Sequence, residues 1–143
     1  MGALENKQLM ESVFRELAIG NGQPFMDVLA DDVRWTVIGS SPWSRTYESK
    51  RDVVRELMRP LFRQFADQYT ARASRVIAED DLVVIEARGR VTTKAGKAYN
   101  QTYCYVCRLQ GAQVRELTEY LDTSLVDAVL DAPGSAEPAQ RSG

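Results

Sequence analysis

At 143 residues with 44% hydrophobic content, the chain has enough apolar surface for one domain and too little length for two ordinary ones. Its 18 basic and 20 acidic side chains leave a formal charge of −2, and neither sign gathers into a long run, so the basic footprint of a nucleic-acid or anionic-membrane binder is excluded. There is no histidine, which removes Ser-His-Asp and Cys-His mechanisms and histidine-ligated metals, and leaves proton transfer to carboxylates, tyrosines, thiols, lysines or water.

Leu9, Met10, Val13, Phe14 and Leu17 recur at spacings of three and four, predicting an amphipathic helix over residues 4–19 that Gly20-Asn21-Gly22 ends. A short helix over 24–29 starts on Pro24, and a first strand follows over 33–38. Residues 43–48 are polar and aromatic without a clear period. Ser49 is placed to cap a helix from Lys50, whose apolar face is Val53, Val54, Leu57, Met58, Leu61, Phe62 and Phe65. Pro60 is expected to kink or divide it.

From Tyr69 the pattern becomes that of strands, over 70–78, 82–93, 99–109 and 113–121, with turn signals at Glu79-Asp80-Asp81, Ala95-Gly96-Lys97 and Gln110-Gly111-Ala112. Four strands joined by short turns form an antiparallel meander. Helices first and strands afterwards predict an α+β fold with helices over one face of a curved sheet. A short helix over 123–130 and a Pro-, Gly- and Ser-rich stretch complete the chain, giving one domain over 1–131 and a disordered tail over 132–143. The N-terminus lacks the features of a signal peptide and no apolar run approaches the roughly 20 residues of a membrane span, so a cytoplasmic protein is expected.

Alternation along the strands assigns faces. Cys104 and Cys107 form a CxxC, but at that spacing a strand points them to opposite faces, and core thiols are expected rather than a redox or metal pair. Glu86, Arg88 and Arg90 share the face opposite Val83, Ile85, Ala87, Gly89 and Val91, which suits a solvent or dimer face. Tyr99, Gln101, Tyr103 and Tyr105 form a row expected to pack across strands, with Asn100 on the other side. Val114, Leu117 and Tyr120 are spaced by three, which predicts a bulge in the last strand. Asp122, between that strand and a helix, is either an N-cap or a pocket acid.

The phrases Leu29-Ala30-Asp31-Asp32-Val33, Gly96-Lys97-Ala98-Tyr99-Asn100 and Glu119-Tyr120-Leu121-Asp122-Thr123, with the order of elements, resemble the SnoaL-like branch of the nuclear transport factor 2-like superfamily. The resemblance implies a cone-shaped curved sheet wrapped around N-terminal helices, an apolar pocket in its open end, and a homodimer through the outer sheet face. That superfamily holds ketosteroid isomerase, limonene epoxide hydrolase, polyketide cyclases and scytalone dehydratase, as well as proteins without catalysis. The isomerase's base has no counterpart, because residues 33–45 contain no Asp or Glu. The closing Tyr-x-Asp of the epoxide hydrolase is matched by Tyr120 and Asp122. By that resemblance Asp122 is the water-activating base, Arg88 the organiser and Glu86 the acid, the last two in reversed order. Trp35, Trp43, Tyr47, Asn100 and Tyr120 are the expected ligand-binding residues. The implied activity is cofactor-independent, without metal, on a hydrophobic cyclic metabolite, by isomerisation, cyclisation, dehydration or epoxide opening. The alternative is a non-catalytic binding or dimerisation module.

Overall fold

The computed structural model describes residues 2–134. Of the tail expected from residue 132, all but 132–134 lies outside the described residues. Helix α1 (Ala3–Leu17) buries Met10, Val13, Phe14 and Leu17, the stripe read from the sequence. Glu5 accepts a hydrogen bond from the Gly2 N–H at 2.9 Å, satisfying one of the donors a helix start leaves open. Helix α2 (Gln23–Val28) carries Pro24 in its first turn and runs straight into strand β1 (Leu29–Val37), four residues earlier than the pattern suggested.

Ser49 caps the next helix as expected, accepting from the Asp52 N–H at 3.0 Å. The effect of Pro60 is local widening: α3 (Lys50–Asp52) passes into a π-helical turn (Val53–Met58) before α4 (Arg59–Phe62). There the Arg59 N–H reaches back five residues to the Val54 carbonyl. A proline cannot donate to the turn before it, and a wider turn relieves the crowding its ring causes.

The sheet contains β2 (Arg45–Glu48), β3 (Thr70–Glu79), β4 (Leu82–Arg90), β5 (Thr102–Gln110) and β6 (Gln113–Leu121), with β1, in the order β2-β1-β6-β5-β4-β3. Strands β3 to β6 form the antiparallel meander. The sheet is mixed, because β1 lies parallel to β6. Strand β2 was not legible: four residues are too few to show alternation, and its order comes from pairing with β1. Helix α5 (Thr123–Val129) closes the described chain.

The helices cover one face of the sheet. Val83, Ile85, Ala87 and Val91 face them, while Arg88 and Arg90 face outward. Cys107 is fully buried and Cys104 half-buried on the opposite face, both free, and burial lifts the Cys107 thiol to about 12.

The expected bulge is present. Arg108 pairs with Glu116 but Leu109 pairs with Val114, so Arg115 is the extra residue. An extra residue reverses which side chains face in. Alternation then resumes, so beyond Arg115 Leu117 and Glu119 point into the cone and Tyr120 points out, 48% exposed. Tyr120, named above as a ligand-binding residue, therefore lies on the outer face.

Candidate active site

Between α2, the π-turn with α4, and the inner face of the sheet lies a cavity of about 320 Å³. Its wall is mostly apolar, with Phe25, Met26, Leu57 and Leu61 on the helical side and Trp35, Tyr103 and Tyr105 on the sheet side. A concave apolar wall with a few convergent polar groups is the usual form of a small-molecule site. Glu119 is the only carboxylate in the wall among the described residues.

Glu119 sits 8% exposed at the centre of the sheet, opposite Tyr105 on β5 and Val37 on β1. Its Oε1 accepts one hydrogen bond, from the Trp35 indole Nε1 at 2.9 Å. Burial raises its pKa from 4.5 to about 7, because a carboxylate loses solvation in an apolar cavity, and the Trp35 bond opposes part of that rise. Such a group is part acid and part base near neutral pH, which is the condition for efficient proton transfer.

Three phenols share the cavity with it, those of Tyr69, Tyr103 and Tyr105. Tyr69, just before β3, donates its hydroxyl to that of Tyr103 at 2.8 Å. Tyr103 stacks on Tyr105 at 5.1 Å between centroids. Burial pushes all three phenols well above the ordinary tyrosine range, and the Glu119 charge adds to the rise, so they are donors and not bases. Gly89 on β4 makes room for the pair: a Cβ there would lie 3.0 Å from Tyr103 Cε2 and 3.1 Å from the Tyr69 hydroxyl. The open end is rimmed by Gln23 and Arg59, both exposed.

Of the residues singled out from the sequence, Trp35 lines this cavity and holds its acid. Asp122, Glu86, Arg88 and Tyr120 come together as well, but around a more open depression on the outer face of the sheet. Two of the four, Asp122 and Glu86, have their carboxylates engaged. Asp122 caps α5 by accepting from the Ser124 and Leu125 N–H groups at 3.1 and 3.3 Å, and its backbone is clamped by Gln101, which accepts from its N–H and donates to its carbonyl. Glu86 pairs with Arg75 at 2.6 Å. Replacing Asp122 by alanine should therefore cost about 1 kcal/mol in chemical unfolding, the worth of an N-cap, and leave ligand affinity in the cavity unchanged. A variant that keeps its stability but loses cavity binding would contradict that assignment.

Trp43 and Tyr47 are tied into the wall behind the cavity instead of its lining. The Trp43 indole donates to the Asp131 carbonyl at 3.1 Å, and the Tyr47 hydroxyl donates to the Trp43 carbonyl at 2.7 Å. The Arg45 guanidinium stacks over the Tyr47 ring at 4.3 Å, and burial raises that phenol to about 12. Asn100 is exposed, its side-chain oxygen accepting from the Val91 N–H at 3.3 Å. The tyrosine row was read as packing, yet Tyr103 and Tyr105 form part of the cavity wall. Glu119 was missed altogether. The signal for it is the alternation Leu117, Glu119, Leu121, which becomes the inward row once the bulge is placed at Arg115.

Among the described residues, no helix is long and apolar enough to cross a membrane, and no group of three His, Cys, Asp or Glu side chains could hold a metal ion. Comparison of the sequence with protein families matches residues 10–117 to the SnoaL-like domain. No curated protein matches it. Among solved structures, an NTF2-like protein of unknown function from Burkholderia pseudomallei is 20% identical, with 88% of this chain and 98% of that one covered and a TM-score of 0.74. A protein named as a SnoaL-like polyketide cyclase from Jannaschia is 16% identical over 93% and 94% of the two chains, TM-score 0.71. An LEH-like epoxide hydrolase from M. tuberculosis is 15% identical over 88% and 89%, TM-score 0.67.

Proposed function

Since the chain belongs to the SnoaL-like family and has its cone fold, we propose that it is a cofactor-independent acid–base enzyme acting on a hydrophobic cyclic carbonyl compound. The observation that carries this reading is Glu119, a single buried carboxyl with a pKa near neutrality, in an apolar cavity that also holds the Tyr69–Tyr103 donor pair. In its ionised form Glu119 takes a proton from the carbon next to the carbonyl. The electron pair moves onto the carbonyl oxygen, where a phenol hydrogen bond stabilises the enolate. Where a carbon–carbon double bond is conjugated with the enolate, protonated Glu119 returns the proton to the far carbon of that system, which gives isomerisation. Where a second carbonyl lies in the same molecule, the enolate carbon attacks it and the Glu119 proton passes to the new alkoxide, which gives ring closure.

Epoxide opening by water is less well supported. That chemistry, as the family resemblance frames it, uses two acids and an arginine around one water, whereas a single acid lines this cavity. Deuterium uptake by α-tetralone in D₂O tests the proposal. Wild-type protein should accelerate exchange, and Glu119→Gln should lower the acceleration by about a thousandfold while still binding the ketone. Binding without exchange in the wild type would make the protein a carrier. Loss of exchange in Asp122→Ala, with Glu119→Gln still active, would return the chemistry to the outer depression.

A second copy of the chain is the proposed partner, through the outer sheet face. Tyr120 is half exposed there, and register sets it beside Cys104 and Glu86, with Val84, Val106 and Thr118 in the next row. Sedimentation velocity should show a dimer that Val106→Arg converts to monomer. A monomeric wild type would exclude this interface.

A further inference from the structure

The geometry points to a substrate with one anionic group: a cyclic apolar body carrying a carboxylate that stays at the cavity mouth on Arg59 while the reactive end lies at Glu119. This deepens the acid–base reading above and rests on it. Arg59 is the one cation among the described residues that line the cavity. It makes no ion pair with any described residue, and what sets it apart from the other arginines without one is its place in the cavity lining.

The π-turn sets the direction in which Arg59 is presented. Arg59, before Pro60, sits at φ −61° and ψ −50°, and its N–H bonds the Val54 carbonyl across the π-turn. Local widening of this kind recurs where a helix presents a side chain to a site. Here it sets Leu57, Met58 and Arg59 along the same cavity.

Charge sorts the orientation of the ligand. Glu119 lies at the buried end and repels an anion once ionised, while Arg59 lies at the open end, where a carboxylate keeps part of its hydration and gains a partner. A neutral ligand of the same shape leaves Arg59 without a partner. A dianion would place its second charge against the apolar wall or against Glu119. One carboxylate at one end is the charge pattern that the cavity complements.

The test is a matched pair of probes, naphthylacetate and its neutral amide naphthylacetamide, titrated at low salt against wild type, Arg59→Gln and Arg59→Lys, with Trp35 fluorescence and calorimetry as readouts. Wild type should bind the carboxylate about fivefold more tightly than the amide, a preference that shrinks as salt is added. Arg59→Gln should erase the preference without changing amide affinity, and Arg59→Lys should keep part of it. If Arg59→Gln leaves the ratio unchanged while both probes bind, the anionic-substrate inference is overturned and the cavity reading stands. If neither probe binds wild type, both fall. Glu119→Gln should abolish exchange on α-tetralone and preserve the Arg59-dependent preference, which separates the two claims.

Discussion

Replacing Glu119 with glutamine should flatten the dependence of stability on pH. In wild type the folded state holds the Glu119 proton up to about pH 7, whereas the unfolded chain releases it near the ordinary value of 4.5. Between those values the folded state binds more protons, so stability falls as pH rises. The loss begins above the unfolded pKa and is complete once pH passes the folded one. It amounts to roughly 3 kcal/mol, from about 1.4 kcal/mol for each pH unit of displacement. Glutamine keeps an oxygen for the Trp35 indole and carries no ionisable group. The difference between wild type and Glu119→Gln, measured by urea unfolding across this range, therefore isolates the term from the other carboxylates. A difference that does not change with pH would mean that Glu119 is solvated in the folded protein.

Removal of the indole donor has the second large effect. Trp35 is 2% exposed, stacks on Phe25 at 5.6 Å and meets Tyr105 edge-on at 6.3 Å. Truncation to alanine should cost about 3 to 5 kcal/mol and endanger folding. Trp35→Phe is the more informative change, because it keeps an aromatic ring against Phe25 and deletes the only hydrogen bond to the Glu119 carboxyl among the described residues. The indole N–H favours the ionised form, so its loss should raise the Glu119 pKa above the wild-type value. The stability cost should then be larger at alkaline pH, where a buried carboxylate has lost its donor, than at acid pH, where the carboxyl is neutral. An added cost of about 1 to 3 kcal/mol is expected on the alkaline side. Combining Trp35→Phe with Glu119→Gln should remove this pH dependence. A cost equal at both extremes would assign Trp35 to packing alone.

Much of the fold is written locally. The stripe of α1, the Ser49 cap, the turn residues and the alternation of β3 to β6 each follow from nearest-neighbour chemistry, so they can be read without knowing what packs on what. Strand β2 cannot, since four residues gain their conformation from pairing with β1. Nor can the π-turn before Pro60, because a proline signals disruption without saying which form it takes.

The site turned on one residue of register. Spacing in the last strand announced a bulge without fixing which residues it turned inward, and the resemblance named Tyr120 as a ligand-binding residue. The structure puts the extra residue at Arg115 and restores simple alternation after it, so Glu119 enters the cone and Tyr120 and the Asp122 side chain stay outside. Asp122 was prominent because it matched a phrase at the strand end. Glu119, two residues beyond Leu117, was hidden because a charged residue amid an alternating strand is ordinarily a solvent-facing one. Only the pairing of β6 with both β5 and β1 shows that this one is covered.

A carbon-13 NMR titration of the glutamate side-chain carboxyls, with Glu119 identified by its absence from the Glu119→Gln spectrum, tests the buried acid most directly. A midpoint about 7 is the expected result. A midpoint near 4.5, the ordinary value for a glutamate, would show a solvated carboxylate and contradict the proposed role of Glu119 as the proton-transferring group.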